Sequence, residues 1–318
     1  MDKRVYGVLG VSSVMANWNA DFTGYPKTIS SGETYGSDKA LKYPMKKMWS
    51  QEGMPVLYIK SLRFEKKVDK KTKDEEILLV PRTLRERYEQ IFKIEDLTEE
   101  KSTESVLKNL FQAVDVKNFG ATFAEAKHNI SIVGAVQFGQ GFNKYGDTSA
   151  EEQAILSPFR DGSKDGEKEI AKNSTLGTKI VSDEAHYFYP FVINPTVYKE
   201  FEELGVTDGY TEDDYQNFKR TALVSVTAYA TNAKEGCENE FALFVETEGT
   251  LYLPNLSEYI TFERGDEKNQ IKLKLGDILN ELGSKIKSIE IYYNPHTTIL
   301  DSDVEGATIF HILTQNEV

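Results

Sequence analysis

The sequence predicts an α+β sandwich interrupted by two insertions. Three observations lead to it. Arg4 to Val14 alternates as a strand does and is apolar on both faces. Later strand-like runs are separated by helix-patterned segments, which argues for an α+β layering. Two long polar stretches, about 65–110 and 139–183, have the composition of additions to a core rather than of the core itself.

Taken in order, Val5, Gly7, Leu9 and Val11 share one face of the first strand and Tyr6 and Val8 the other, the pattern of a central strand. Asn17 to Pro26 is rich in turn-formers and reads as a loop. Ser37-Asp38 can cap a helix running through Trp49. Met54 to Phe64 reads as a second strand, followed by a lysine-rich segment and a charged, mostly helical stretch over 74–110. Ile130 to Phe138 reads as one strand. Gly139 to Asp183 is unusually polar, and a connection that long is normally functional or disordered. Gly177 to Val181 predicts its return as a strand, making a protruding hairpin-like arm. An acidic helix-loop-helix runs through Lys219, with Thr221–Tyr229 continuing the helix. Glu240–Val245, Ile271–Leu275 and Ile286–Tyr293 supply the last strands.

Composition excludes several classes. The 318 residues are 39% hydrophobic and 28% charged, as in an ordinary globular protein. No apolar run approaches the roughly 20 residues of a membrane helix, and Met1 to Leu9 is too short and alternating for a signal peptide. A lone Cys237 fits a reducing cytoplasm. Four scattered histidines give no metal-ligand spacing, so neither metal nor cofactor is expected. Net charge is −13, which is not the profile of a globally basic nucleic-acid binder. The charge is unevenly spread, however. Lys60–Lys73 holds seven Lys/Arg against Glu65 and Asp69, whereas Glu200–Gln216 holds seven acids and no base. Phosphates sense charge within about a Debye length, roughly 8–10 Å, so one basic groove suffices.

The motifs are more telling than the totals. Asp115-Val-Lys-Asn-Phe-Gly-Ala121 precedes Ile130-Ser-Ile-Val-Gly-Ala-Val-Gln-Phe138, and neither holds a nucleophile or a phosphate-binding glycine loop. Together they resemble the "DVRLFGA" and "ITGPVQF" segments of the backbone subunit of type I, subtype I-B-like, Cascade complexes, within the CRISPR-associated RAMP superfamily. The family's "SD-x-x-LKR-x-x-R" helix is similar to Ser37-Asp-Lys-Ala-Leu-Lys-Tyr-Pro-Met-Lys46, and its "TLGTK" to Thr175-Leu-Gly-Thr-Lys179. Its aromatic "Y…G.vNP" element is similar to Tyr187–Pro195. Two departures stand out. Pro44 falls inside the helix pattern, so the helix either begins there or is kinked. Lys234 occupies the place of a family arginine, exchanging a fork of donors for a point charge.

The resemblance implies an RRM-like (ferredoxin-like) palm built from 1–60, 113–142 and 184–318, a fingers insertion at 61–112 and a thumb β-hairpin at 143–183. It implies a non-catalytic scaffold that polymerises along crRNA, presents it to target DNA, and contacts further copies of itself and other Cascade subunits. Lys39, Lys42 and Lys46 share a helix face. The ordinary reading of such a row is a solvated surface; the resemblance assigns it, with Ser37 and Lys47, to guide phosphates. The Asn17, Asn19 and Asp21 loop lies nearby in the family's arrangement. Gln137 and Phe138 can meet nucleotides, although Phe138 also fits a core pattern. Leu176, Gly177, Thr178 and Lys179 fall where the thumb of the family wedges out a base. Related type III subunits cleave target RNA through an aspartate in the first loop, which makes Asp21 with a divalent ion the alternative reading. Acids in such loops usually serve turns. A third reading is an acidic α+β protein whose arm binds another protein.

Overall fold

The computed structural model describes residues 1–68, 75–156 and 175–318, with the backbone alone for Thr175 and Leu176. Its centre is strand β1 (Lys3–Ala16), which leads through the two-residue β2 (Tyr35–Gly36) to helix α1 (Asp38–Gln51). Ser37 caps α1 by accepting from the Ala40 N–H, and Asp38 sits in the first turn, where the helix dipole favours an acid. The helix therefore starts well before Pro44 and continues through it.

A hairpin of β3 (Leu62–Val68) and β4 (Glu75–Pro81) follows, then α2 (Leu84–Phe92), α3 (Thr103–Gln112) and the short α4 (Val114–Phe119). β5 (Gly120–Glu125) pairs with β6 (His128–Val133) as a separate two-stranded sheet. The chain then reaches β7 (Val136–Phe138), β8 (Gly141–Asn143) and β9 (Ala150–Leu156), and returns as the 19-residue β10 (Thr175–Ile193). Next come α5 (Lys199–Glu203), α6 (Glu212–Val224) and β11 (Cys237–Glu248). The remaining elements are β12 (Ile260–Glu263), β13 (Asn269–Leu273), α7 (Gly276–Leu282), β14 (Ile286–Tyr293), β15 (Thr298–Ser302) and β16 (Thr308–His311).

The main sheet runs β16-β14-β11-β1-β10-β8-β2, with β7 and β9 also paired to β10. β1 is antiparallel to both neighbours, β10 and β11, as its two apolar faces foretell. On one face Val5, Leu9, Phe191 and Phe244 pack with Leu41, Met45 and Trp49 of α1 and Phe218 and Ala222 of α6. On the other, Val8, Phe188, Leu243 and Ile291 pack with Ile260, Ile271 and Leu273 of the three-stranded sheet β12-β13-β15 and with Leu279 of α7. Each fully buried side chain of this size contributes about 1.5–3 kcal/mol. The molecule is thus layered, helices on the sheet and a smaller sheet beneath.

Four sequence expectations need correction. Residues 54–61 are not strand: Val56 and Leu57 are buried side by side, where a half-buried strand would alternate, and only Leu62 onward pairs. Ile130–Phe138 is two strands, broken at Gly134-Ala135, because β6 belongs with β5 while β7 crosses to β10. The stretch 74–110 opens with β4 before it becomes helical. The helix expected over Thr221–Tyr229 ends at Val224, and beyond it the Asn239 side-chain amide oxygen accepts from the N–H groups of Val226 and Thr227.

Candidate nucleic-acid interface

Helix α1 carries the candidate cations, and the structure divides them. At 100° per residue, positions 39, 42, 43, 46 and 47 lie on one broad face. Lys42 and Lys46 take its inner flank. Their side chains are 15% and 16% exposed, and their ammonium groups stand 5.2 and 5.9 Å from the centre of the Phe119 ring. Lys42 is also paired with Asp38 at 2.8 Å. Lys46 donates to the Tyr58 carbonyl at 3.4 Å and lies 3.8 Å from Asp115. Lys39 is exposed and Lys47 half-buried on the outer flank, with no ion pair to either among the described residues.

Asp115 explains why the inner flank is occupied. It is buried, and its two carboxylate oxygens accept from the N–H groups of Leu57 and Tyr58, each at 2.8 Å. Burial pushes its carboxyl pKa up, against the pull of Lys46 and these N–H donors, and burial likewise lowers the Lys46 pKa. This clamp ties the 55–59 segment, α1 and α4 together. Sequence reasoning did not single out Asp115 as a working residue; the available signal was an acid standing alone between Val114 and Val116.

The two signature segments meet at their glycines. Gly120 has φ +82° at the end of α4, a conformation that glycine adopts freely. A Cβ on Gly134 would lie 2.2 Å from the Phe119 carbonyl carbon and 2.3 Å from the Gly120 nitrogen. The motif thus brings two backbones together so that the half-buried Phe119 is presented toward α1. Phe138 is half-buried and packs against Phe119, Phe191 and Phe218 at 5.7–6.1 Å, the arrangement of a packing residue. Gln137 is exposed and donates to the Gly134 carbonyl at 2.7 Å.

The first loop is built as a brace. The Asn17 amide donates to the carbonyls of Gly24 and Ile180 at 2.9 and 3.0 Å. Asn19 accepts from the Ser37 N–H at 2.8 Å and so fixes the loop to the start of α1. Asp21 accepts from the N–H and hydroxyl of Thr23, both at 2.7 Å, and from the Tyr25 N–H. The Thr23 hydroxyl first, then the N–H groups of Thr23 and Gly24, hold its carboxyl pKa below the ordinary value. Asp21 is engaged in a turn. Lys234 donates to the carbonyls of Asn17 and Trp18, and burial lowers its pKa. Among the described residues no group of three His, Cys, Asp or Glu is arranged to hold a metal ion.

The β9/β10 hairpin pairs Gly177 with Ile155, Thr178 with Ala154 and Lys179 with Gln153, and the register slips between Thr175 and Gly177. Gly177 and Thr178 are exposed and Lys179 is half-buried; the Leu176 side chain and the polar centre 161–168 lie outside the described residues. In the β3/β4 hairpin Arg63 meets Glu65 and Glu86, each at 2.9 Å, and Lys66 meets Glu75 at 3.6 Å. Lys70, Lys71 and Lys73 of the basic cluster lie outside the described residues.

Across residues 3–279 the chain matches the profile of the family described as CRISPR-associated protein Cas7. It belongs to that family. Among solved structures, a chain of a "CRISPR RNA-guided surveillance complex, pre-nicking" is similar over 97% of this chain and 96% of that one, with 14% identity and a TM-score of 0.48. At that level the likeness supports no further argument. No curated protein matches this sequence. Among the described residues no helix is long and apolar enough to cross a membrane.

Proposed function

We infer that the chain is a non-catalytic, guide-RNA-binding backbone subunit of a type I Cascade surveillance complex. Several copies line the crRNA and present it for pairing with target DNA. The observation that carries this reading is the family match over residues 3–279, within which α1 turns Lys39 and Lys47 outward. A row of cations free of carboxylates binds phosphate regardless of sequence, as a carrier of varied guides requires.

The same reading assigns a palm to 1–60, 113–142 and 184–318. Its support is the order β11-β1-β10-β7, with α1 and α6 on one face, which is the βαββαβ arrangement of RRM-like domains. The fingers would be 61–112 and the thumb 143–183. The proposal gives phosphate contacts to Lys39 and Lys47, with Lys42 and Lys46 adding to the local field while holding α1 on Phe119. Ser37, Asn17 and Asn19 fix the loop beside them, and Gly177, Thr178 and Lys179 of the thumb hairpin meet the guide of a neighbouring copy. No observation favours cleavage through Asp21.

The test is guide binding by the assembled complex at several salt concentrations. Lys39→Glu with Lys47→Glu should weaken binding to all guides and flatten the slope of log affinity against log salt by roughly 1.4 per subunit, at about 0.7 per lost single-strand phosphate contact. An unchanged slope would remove α1 from the interface.

A further inference from the structure

Between α1, the first loop and the segment after α6 lies a cleft of about 280 Å³, lined by Trp18, Asn19, Tyr43, Pro44, Tyr229 and Lys234, with Ala20 and Ala40 completing it. We propose that Tyr43 and Tyr229, at this cleft, form a stacking seat for one nucleobase of the guide RNA. The proposal rests on the guide-binding reading above and adds a base contact to its phosphate contacts.

The two rings meet edge to face, with centroids 5.6 Å apart and planes at 73°. Tyr43 is 39% exposed, so part of its ring is open to a partner. It stands one helical turn after Lys39 and one turn before Lys47. An aromatic ring between two outward cations on one helix line is the combination that grips single-stranded nucleic acid, ring on base and ammonium on phosphate. Two other features of the cleft favour a base over an aliphatic ligand. The Asn19 side-chain amide has its oxygen occupied by Ser37 and makes no donor bond among the described residues, which leaves N–H groups for a base edge. The cleft is also rigid, because Lys234 bonds the carbonyls of the loop and Trp18 donates to the Tyr189 hydroxyl at 2.5 Å.

Charge points the same way. Among the described residues no carboxylate lines this cleft. Another cleft, of about 840 Å³, sets Glu202, Asp208, Asp213 and Asp214 against Lys108 and Lys117, and its acidic balance disfavours a phosphate chain.

The experiment uses the full complex assembled on a guide RNA carrying 4-thiouridine. Irradiation followed by mass spectrometry of the peptides locates the bases, and salt titrations are run on wild type, Tyr43→Ala and Tyr43→Phe. The expected result is crosslinks on peptides containing Tyr43 or Tyr229. Tyr43→Ala should lose about tenfold in affinity at every salt concentration, with the slope unchanged, and Tyr43→Phe should stay near wild type. RNA that stays bound with its salt slope intact, with no crosslink at either tyrosine and no effect of Tyr43→Ala, overturns the seat and leaves the guide-binding reading standing. A complex that holds no RNA overturns both.

Discussion

The ammonium of Lys46 lies 3.8 Å from the carboxylate of Asp115, a residue 69 positions later in the chain that is almost wholly buried. One contact thereby links the helix that resembles the family's cation helix to the acid that opens its Phe-Gly-Ala motif. Removing the cation strands a buried carboxylate. Lys46→Met should therefore lower the stability of the purified chain by about 3 kcal/mol, measured by urea unfolding. Lys39→Met, on the outer flank, should change it by less than about 0.5 kcal/mol. Equal effects would mean that Asp115 does not depend on Lys46.

The same division separates two double variants. Lys42→Glu with Lys46→Glu places new carboxylates beside Asp38 and Asp115, and should be lost at the folding step, seen as poor yield and a lowered melting temperature. Lys39→Glu with Lys47→Glu should fold as wild type and fail only in RNA binding. Normal melting of the first pair would show that the inner lysines are not structural.

Gly134→Ala tests the glycine contact. The added methyl would meet the backbone of Phe119 and Gly120 at 2.2–2.3 Å, and neither is the free end of a side chain. A loss of about 1–3 kcal/mol is expected, with altered packing of Phe119 visible by NMR. A neutral change would mean that the two segments separate easily.

His186 carries the pH dependence. Its ring stacks on Phe262 with centroids 3.6 Å apart and bonds Glu240 at 2.8 Å and Glu184 at 3.2 Å, with Arg264 on Glu184 and the Tyr145 ring at its edge. Burial by itself lowers the His186 pKa, but the two carboxylates outweigh it and hold the pKa above 6.5. A raised folded-state pKa contributes stability that is complete below about pH 6.5 and lost as pH rises through the folded value. The stability gap between wild type and His186→Gln should therefore be wider at pH 6 than at pH 9. Asp, Glu and Arg side chains ordinarily keep their charge across that window. A gap independent of pH would show that His186 is neutral throughout.

Asp21→Ala should remove the turn that its carboxylate organises, at about 1 kcal/mol. Target RNA incubated with magnesium and the assembled complex should stay intact with wild type and variant alike. Cleavage by wild type that the variant abolishes would establish the type III-like alternative.

Much of the frame is legible in the chain. The alternation of Val5 to Val11 foretells a central strand, Ser37-Asp38 marks the start of α1, and Ile286–Tyr293 is read with its observed limits. What is hidden depends on distant partners. Val56 and Leu57 mimic a strand because local apolarity does not reveal a carboxylate arriving from residue 115. The break at Gly134 is invisible until Gly120 is placed against it. For the site, spacing puts Lys39, Lys42 and Lys46 together correctly on one face of α1. Which of them stay free of protein partners depends on where Phe119 and Asp115 lie, and spacing cannot supply that. Tyr43 passes as an interruption in a lysine row until Tyr229 is brought beside it.

The central claim is tested most directly by the RNA that accompanies the protein. The chain is expressed with its operon neighbours and a repeat-containing transcript, purified at moderate salt, and the bound RNA is sequenced. Short RNAs with repeat-derived ends and protected spacer sequence are the predicted result. A complex that assembles without RNA, or that holds only random fragments, would contradict the account and leave the family membership as kinship of fold.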